Sequence, residues 1–179
     1  QMFVAYVNLG FAHAELGDYE SAQRTFEKLL QTAQSVGDQR SVAFAHEGLG
    51  YVFMTTERFP EAWSHFDEEH RIGKATNAAL TLGYAANYRA SAAWKLGRYD
   101  DARADFAEAL AIAAPVGQEP YKDLLADVIS SSAALVLSET KFPEASTKAQ
   151  KALTLAGSDY KTIAVRARTT MGLALARSG

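Results

Sequence analysis

Apolar residues recur along the chain at intervals of three and four residues, the spacing that places side chains on one face of an α-helix. Clear examples are the series Val42, Ala45, Leu49, Val52 and Phe53 and the series Ala102, Phe106, Ala109 and Leu110. The alternation of apolar and polar residues that marks a half-buried strand is missing throughout. The pattern therefore predicts an all-α protein.

Short polar turns divide these apolar series into nine predicted helices. We expect the helices at residues 2–16, 19–36, 39–57, 60–75, 78–96, 99–114, 119–139, 143–156 and 159–177. Pro60 and Pro143 suit the first turn of a helix, where the backbone N–H has no partner within the helix. Gly17 and Gly97 suit the position just after a helix end.

An internal repeat of about 40 residues underlies these helices. Four aromatic residues, each followed three positions later by alanine, are spaced by 40, 40 and 43 positions: Tyr19, Phe59, Tyr99 and Phe142. A small residue stands nine positions before each of them: Gly10, Gly50, Ala90 and Ala133. A fifth small residue, Gly172, follows 39 residues after Ala133. We therefore expect a single domain over residues 1–179, with units at 1–38, 39–77, 78–117 and 118–158 and a half unit at 159–179.

Each repeated position has a steric reason. The small residue midway along the first helix of a unit lets the second helix approach closely. The alanine of the second helix, such as Ala22, occupies the other side of that contact. Phe26, Phe66 and Phe106 follow the alanine by four positions, and we expect aromatic residues to fill the gaps between neighbouring units. A single helix pair cannot bury its own apolar face, so the units must stack.

These motifs resemble the tetratricopeptide repeat family. The first unit carries Asn8-Leu9-Gly10, Leu16-Gly17-Asp18-Tyr19, Ala22 and Phe26, and the second carries Gly48-Leu49-Gly50-Tyr51, Phe59, Ala62 and Phe66. The spacing is similar to the longer, roughly 40-residue variety of the repeat. The resemblance implies a right-handed superhelical solenoid of antiparallel helix pairs with about four and a half repeats. It also implies a non-enzymatic function, the binding of a protein or peptide segment in the concave groove.

The resemblance places partner-binding positions on the first helix of each unit. Carried over to this chain, the groove positions are Val7, Phe11, Glu15, Glu47, Tyr51, Met54, Tyr84, Asn87, Ser91, Trp94, Lys95, Ser130, Ala134 and Ser138, continued by Arg166, Thr169 and Arg177. Trp94, Tyr84 and Tyr51 are the predicted anchors, because aromatic side chains bring large contact area at small entropic cost. Asn87 and Lys95 are the predicted polar contacts.

We do not expect this surface to bind the C-terminal carboxylate of a partner. Relatives that bind such tails use Lys, Arg and Asn at these positions, whereas Val7 and Phe11 stand here. The alternative to a scaffold is a domain that senses a ligand or peptide in a bacterial signalling or transcription-regulating protein. We expect the partner equally to be another domain of the same parent chain or an external protein.

Composition narrows the class of protein further. The 179 residues carry a formal charge of −3 and no cysteine, which excludes disulfide scaffolds and thiolate metal sites. The near-neutral charge argues against a broad nucleic-acid surface, and no apolar stretch approaches the length that spans a bilayer. We expect a cytoplasmic, bacterial protein without a cofactor or a metal ion.

Two groups of polar residues are candidates for a metal site or a catalytic site. Glu61, His65 and Glu69 stand at intervals of four, with His70 beside them, but no second helix completes a metal site, so we expect a solvated or amphipathic face. His46-Glu47 opens like a zinc-protease motif, but Gly50 stands where its second histidine should be. We therefore do not expect an enzyme.

The final half unit leaves two possibilities. Gly179 stands where Gly17 and Gly97 stand, just before a second helix, so we expect this chain to be a segment of a longer protein. The alternative is that the ninth helix is a natural cap. A cap needs a polar outer face, which Lys161 and Arg168 partly supply.

Overall fold

The computed structural model describes residues 2–114 and 121–178, and in these ranges every regular element is a helix. The helices are α1 (Met2–Glu15), α2 (Tyr19–Val36), α3 (Gln39–Thr55), α4 (Phe59–Ala75), α5 (Ala79–Lys95), α6 (Tyr99–Ala113), α7 (Lys122–Ser138), α8 (Phe142–Ala156) and α9 (Lys161–Arg177). The all-α prediction and the nine predicted helices are confirmed. Their observed ends differ by one or two residues; the predicted start of α7 at residue 119 lies outside the described residues.

The chain forms two compact units, residues 1–102 and 103–179. In the first unit each helix packs against the next from α1 to α5, and the first helices of successive pairs also meet, α1 with α3 and α3 with α5. In the second unit α7 packs against α8, α8 against α9, and α7 against α9. This is the packing of stacked antiparallel helix pairs in a helical-repeat solenoid. The single domain over residues 1–179 stays a prediction.

Close contact between an aromatic ring and glycine joins the helix pairs of the first unit. A Cβ atom added to Gly10 of α1 would lie 2.5 Å from Cζ of Phe26 on α2, and the same ring fills the space beside Gly48 of α3. Phe66 of α4 occupies the corresponding space at Gly50. Phe26 is fully buried. Each of these glycines therefore lets a second helix approach closely, but a phenylalanine ring occupies the contact at which the sequence predicts the alanine.

Helix ends follow local chemistry. Asp18 and Asp38 accept hydrogen bonds from the backbone N–H groups of Ser21 and Ser41, which caps α2 and α3. Gly37 ends α2 in the left-handed region, with φ at 73°. α4 and α8 begin one residue before the predicted prolines, so each proline is the second helical residue and remains within the first turn.

Candidate partner-binding surface

The surface of α1, α3 and α5 carries the predicted partner-binding residues of the first unit. Three of these residues are exposed: Glu15, Tyr51 and Lys95. Seven are half-buried: Val7, Phe11, Glu47, Met54, Tyr84, Ser91 and Trp94. Because α3 contacts both α1 and α5, these residues belong to adjacent helices.

An aromatic contact links α1 to α3 at this surface. The ring centroids of Phe11 and Tyr51 are 5.9 Å apart and the rings are inclined by 64°. Phe11 also meets the edge of Phe26, with the centroids 5.1 Å apart. Phe11 thus packs against the buried core through Phe26, while Tyr51 is 42% exposed. Such a supported and accessible ring has the properties of a contact anchor.

A second aromatic group lies on α5. The rings of Tyr84 and Tyr88 stack with centroids 5.9 Å apart, and Tyr88 in turn contacts Phe66 of α4 at 5.4 Å. Further along α5, the Nζ atom of Lys95 lies 4.5 Å from the ring centroid of Trp94. This cation–π contact holds a positive charge over an aromatic face.

Two predicted groove residues are not available to a partner. Asn87 on α5 and Ser130 on α7 are both fully buried, so the prediction that they contact a partner is wrong for this structure. Their positions on the first helix face the neighbouring helix rather than the open surface. The repeat register alone does not separate these two orientations, because groove and interface positions are neighbours on the helix.

Glu47 takes part in a buried acidic pair that the sequence did not reveal. Glu47 on α3 is half-buried, while Glu69 on α4 is only 2% exposed and its Oε2 atom has no hydrogen-bond partner. Burial raises the pKa of Glu47 to about 7. Burial and the nearby charge of Glu47 raise the pKa of Glu69 well above its usual range. The pair therefore retains protons at pH values where exposed carboxyl groups have lost them.

Two histidines meet at the same helix contact. The Nδ1 atoms of His46 on α3 and His65 on α4 are 2.9 Å apart, and His65 stacks on Phe53 with centroids 5.3 Å apart. Burial, with a contribution from His65, lowers the pKa of His46 to about 4. Burial likewise lowers the pKa of His65.

A fully solvated face is ruled out for Glu61, His65, Glu69 and His70, because Glu69 and His70 are buried while Glu61 and His65 are half-buried. α5 also packs against α4. Across residues 2–114 and 121–178, no three His, Asp or Glu side chains are grouped so that they could hold a metal ion.

The second unit holds the remaining predicted positions. Ala134 is half-buried, and Ser138, Thr169 and Arg177 are exposed. Arg166 of α9 donates hydrogen bonds to Asp127 and to Ser131 of α7. Its guanidinium therefore serves an internal contact between α7 and α9, although its side chain stays partly exposed.

A shallow cavity of about 270 Å³ lies in the second unit between α6, α7 and α8. Phe106, Leu110, Val128, Leu135 and Val136 form most of its apolar lining. Glu139 stands at its rim and accepts hydrogen bonds from Arg103 at 3.1 Å and from Lys141 at 2.7 Å. This cavity could not be predicted from the sequence, because it depends on how three helices are spaced.

Comparison with known proteins identifies the repeat. Family models described as tetratricopeptide repeat match residues 1–75 and residues 82–114, together more than half of the chain. No curated protein matches it. Among solved structures, the chain is similar to the crystal structure of BtubC (BKLC) from P. vanneervenii, with 16% identity and a TM-score of 0.69. The match covers 94% of this chain and 74% of that one, and at this identity it shows a shared fold.

Two further findings complete the comparison. None of the described helices has the length and apolar character needed to cross a membrane. Tetratricopeptide repeats generally mediate protein–protein interactions and are typically non-enzymatic scaffolds. From the repeated motifs, the stacked helix pairs and the matching family models, we conclude that the chain belongs to the tetratricopeptide repeat family.

Proposed function

We propose that the chain is a non-enzymatic interaction module that binds a peptide or protein segment along α1, α3 and α5 of the first unit. The observation that carries this proposal is the set of aromatic residues on adjacent first helices, with Tyr51 exposed above the supporting ring of Phe11. The general role of the family in protein–protein interactions supports it.

The surface has the chemistry that peptide recognition requires. Tyr51, Tyr84 and Trp94 offer large rigid rings whose ordering costs little side-chain entropy. Glu15 and Lys95 are exposed at the C-terminal ends of α1 and α5, where they can bind polar groups that flank an apolar side chain. We expect the partner segment to place apolar side chains on the rings and to pair its charged groups with Glu15 and Lys95.

A selected peptide tests the proposal. Peptides from a displayed random library would be enriched on the whole chain, and the best one measured by calorimetry. We expect Tyr51→Ala and Trp94→Ala each to weaken its binding by about 2 kcal/mol, roughly thirtyfold, because aromatic anchors dominate such interfaces.

Matched controls come from aromatic residues outside this surface. Tyr99 begins α6 and is 46% exposed, close to the 42% of Tyr51, and Trp63 on α4 is half-buried, as Trp94 is. Tyr99→Ala and Trp63→Ala should leave the affinity unchanged in a folded chain, as judged by circular dichroism. Equal losses in both sets, or none in the first set, would refute the proposed surface.

The finer setting of this function stays a prediction from the sequence. These predictions are a bacterial origin, a cytoplasmic location and the alternative role as a sensor of a small ligand or peptide.

A further inference from the structure

The shallow cavity of the second unit has two counterparts in the first unit. The cavity lies between the second helices α6 and α8, against the first helix α7. In the first unit, α3 likewise packs against α2 and α4, and α5 packs against α4. Because the repeat relates these three places residue by residue, their side chains can be compared position by position.

A phenylalanine of the first helix fills the first counterpart. The guanidinium carbon of Arg58 lies 4.3 Å from the ring centroid of Phe53 on α3, and His65 of α4 stacks on the same ring with centroids 5.3 Å apart. In the repeat, Arg58 and His65 correspond to Lys141 and Lys148, which both line the cavity. The ring of Phe53 therefore marks the space that corresponds to the cavity.

A tryptophan of the preceding second helix fills the second counterpart. Ala93 stands at the position of Phe53, and the ring is supplied instead by Trp63 of α4. The guanidinium carbon of Arg98 lies 5.1 Å from the centroid of this ring. Arg98 is the equivalent of Arg58, so each counterpart holds one aromatic ring against the same arginine position.

The cavity keeps the cation of the counterparts but has neither of their rings. Val136 stands at the position of Phe53, and Arg103 stands at the position of Trp63. Both residues line the cavity, as does Lys141 at the arginine position. All of these positions lie within the described residues, so the open space does not result from where the sequence ends.

The size and the charge of the cavity limit its occupant. Its volume of about 270 Å³ exceeds the roughly 150 Å³ in which an apolar cavity can bind benzene, so two fused rings can enter. Five charged side chains complete the lining: Arg103, Glu139, Lys141, Glu144 and Lys148. A protein surface placed here would have to bury these charges at a cost, whereas a small molecule leaves most of them in water. Three cations against two carboxylates disfavour a positively charged ligand.

We propose that this cavity binds a small planar aromatic molecule of two fused rings that carries no positive charge. Its ring takes the space that Phe53 and Trp63 fill in the counterparts, with the ammonium group of Lys141 against the ring face. The site lies in the second unit and does not depend on the proposed function of the first unit.

A matched pair of small molecules tests the proposal. β-Naphthol is planar, aromatic and uncharged at neutral pH, and β-decalol is its fully hydrogenated form. We expect β-naphthol to shift amide resonances of the whole isotope-labelled chain with a dissociation constant of about 1 mM or lower. β-Decalol should bind about threefold more weakly or worse, because it offers no π face to the cation.

Arg103→Trp is the decisive protein variant. It supplies the ring that Trp63 supplies in the second counterpart, so we expect at least a tenfold loss of affinity for β-naphthol. Arg103→Met is its matched control, since it also removes the hydrogen bonds to Glu139 but leaves the space open, and it should bind nearly as tightly as the original chain. Arg103 is exposed, so both variants should fold, as judged by circular dichroism.

Two further variants separate the ring space from the cation. Val136→Phe supplies the ring of the first counterpart and should cause the same loss, whereas Val36→Phe, at a 65% exposed position of α2, should not. Lys141→Met should weaken binding about threefold, because it removes the cation. Lys151→Met is its control, since Lys151 is exposed on α8 and does not line the cavity.

Four results would overturn the proposal. The first is the absence of any resonance shift at the solubility limit of β-naphthol. The second is equal affinity of Arg103→Trp and Arg103→Met, which would place the ring elsewhere. The third is equal affinity for β-decalol, which would show no preference for an aromatic ring. The fourth is a tripeptide Gly-Trp-Gly that occupies the cavity at least tenfold more tightly, which would assign the site to a side chain of a protein partner.

Discussion

At the scale of single residues, one turn position distinguishes the repeats. The same position between paired helices has φ of 79° at Gly17, 60° at Glu57, 75° at Gly97 and 63° at Thr140. Glycine adopts this left-handed conformation without steric strain, whereas the conformation costs other residues about 1–2 kcal/mol. Two of the four turns therefore hold a strained residue.

Replacing the strained threonine should stabilise the chain. We expect Thr140→Gly to raise the free energy of unfolding by about 1 kcal/mol, because the strain at a β-branched residue exceeds the entropic cost of glycine. The measurement is urea unfolding followed by circular dichroism. Thr147→Gly on α8 is the matched control, since Thr147 is exposed within a helix and the same change there should lower stability by roughly 0.3–0.5 kcal/mol. A loss of stability in Thr140→Gly would contradict the strain argument.

At the scale of helices, the fit between a ring and a glycine holds α1, α2, α3 and α4 together. Phe26 touches the positions of Gly10 on α1 and Gly48 on α3 at once, so one side chain joins three helices. Substituting either glycine forces the ring or a helix to move, because close-packed interiors leave no space for another methyl group.

Two identical substitutions should therefore have opposite effects. We expect Gly10→Ala to lower the free energy of unfolding by about 1–3 kcal/mol, because its Cβ would overlap Phe26. Gly172→Ala should raise it by up to about 1 kcal/mol, since its Cβ meets nothing and alanine favours the helix. Thermal and urea unfolding of both variants compare them directly. If both changes stabilised the chain, the packing of Phe26 would be looser than described.

The helices were largely predictable from the sequence because their apolar stripes and turns are local features. The small residues could be located in advance, since the repeat fixes their positions. The contact of Gly10 with Phe26 could not, because the pattern places Ala22 opposite Gly10 and places the phenylalanines between units. The orientation of Asn87 could not be predicted, because burial at that position depends on how closely α5 approaches its neighbours. The buried pair of Glu47 and Glu69 also escaped prediction, since the spacing of acidic residues along one helix does not show what covers them.

At the scale of the whole molecule, buried titratable groups make stability depend on pH in two opposing ways. The pKa of Glu47 rises from 4.5 to about 7, so between these values the folded chain holds a proton that the unfolded chain has lost, and stability falls as the pH rises. The pKa of His46 falls from 6.5 to about 4, so between these values stability rises with pH.

We therefore expect stability to change little from pH 4.5 to pH 6.5 and to fall above pH 6.5, where only the carboxyl effect remains. Glu69→Gln should reduce this fall, because it removes one buried carboxyl group and its repulsion of Glu47. At pH 8 the variant should exceed the original chain in free energy of unfolding by on the order of 2 kcal/mol. Urea unfolding at pH 5, 6.5 and 8 measures the difference.

Glu68→Gln is the control for this profile. Glu68 is half-buried on the same helix and pairs with Arg71 at 2.7 Å, so its substitution should leave the alkaline fall in place. Should Glu69→Gln reproduce the original profile at all three pH values, the carboxyl pair would not control stability above pH 6.5.

The contact between His46 and His65 has a consequence for spectroscopy. With 2.9 Å between the two Nδ1 atoms, a single hydrogen must lie between the neutral rings. One imidazole then carries its hydrogen on Nδ1 and the other on Nε2. Nitrogen chemical shifts distinguish these tautomers, so the two rings give a natural nuclear-magnetic-resonance signature of an intact α3–α4 pair.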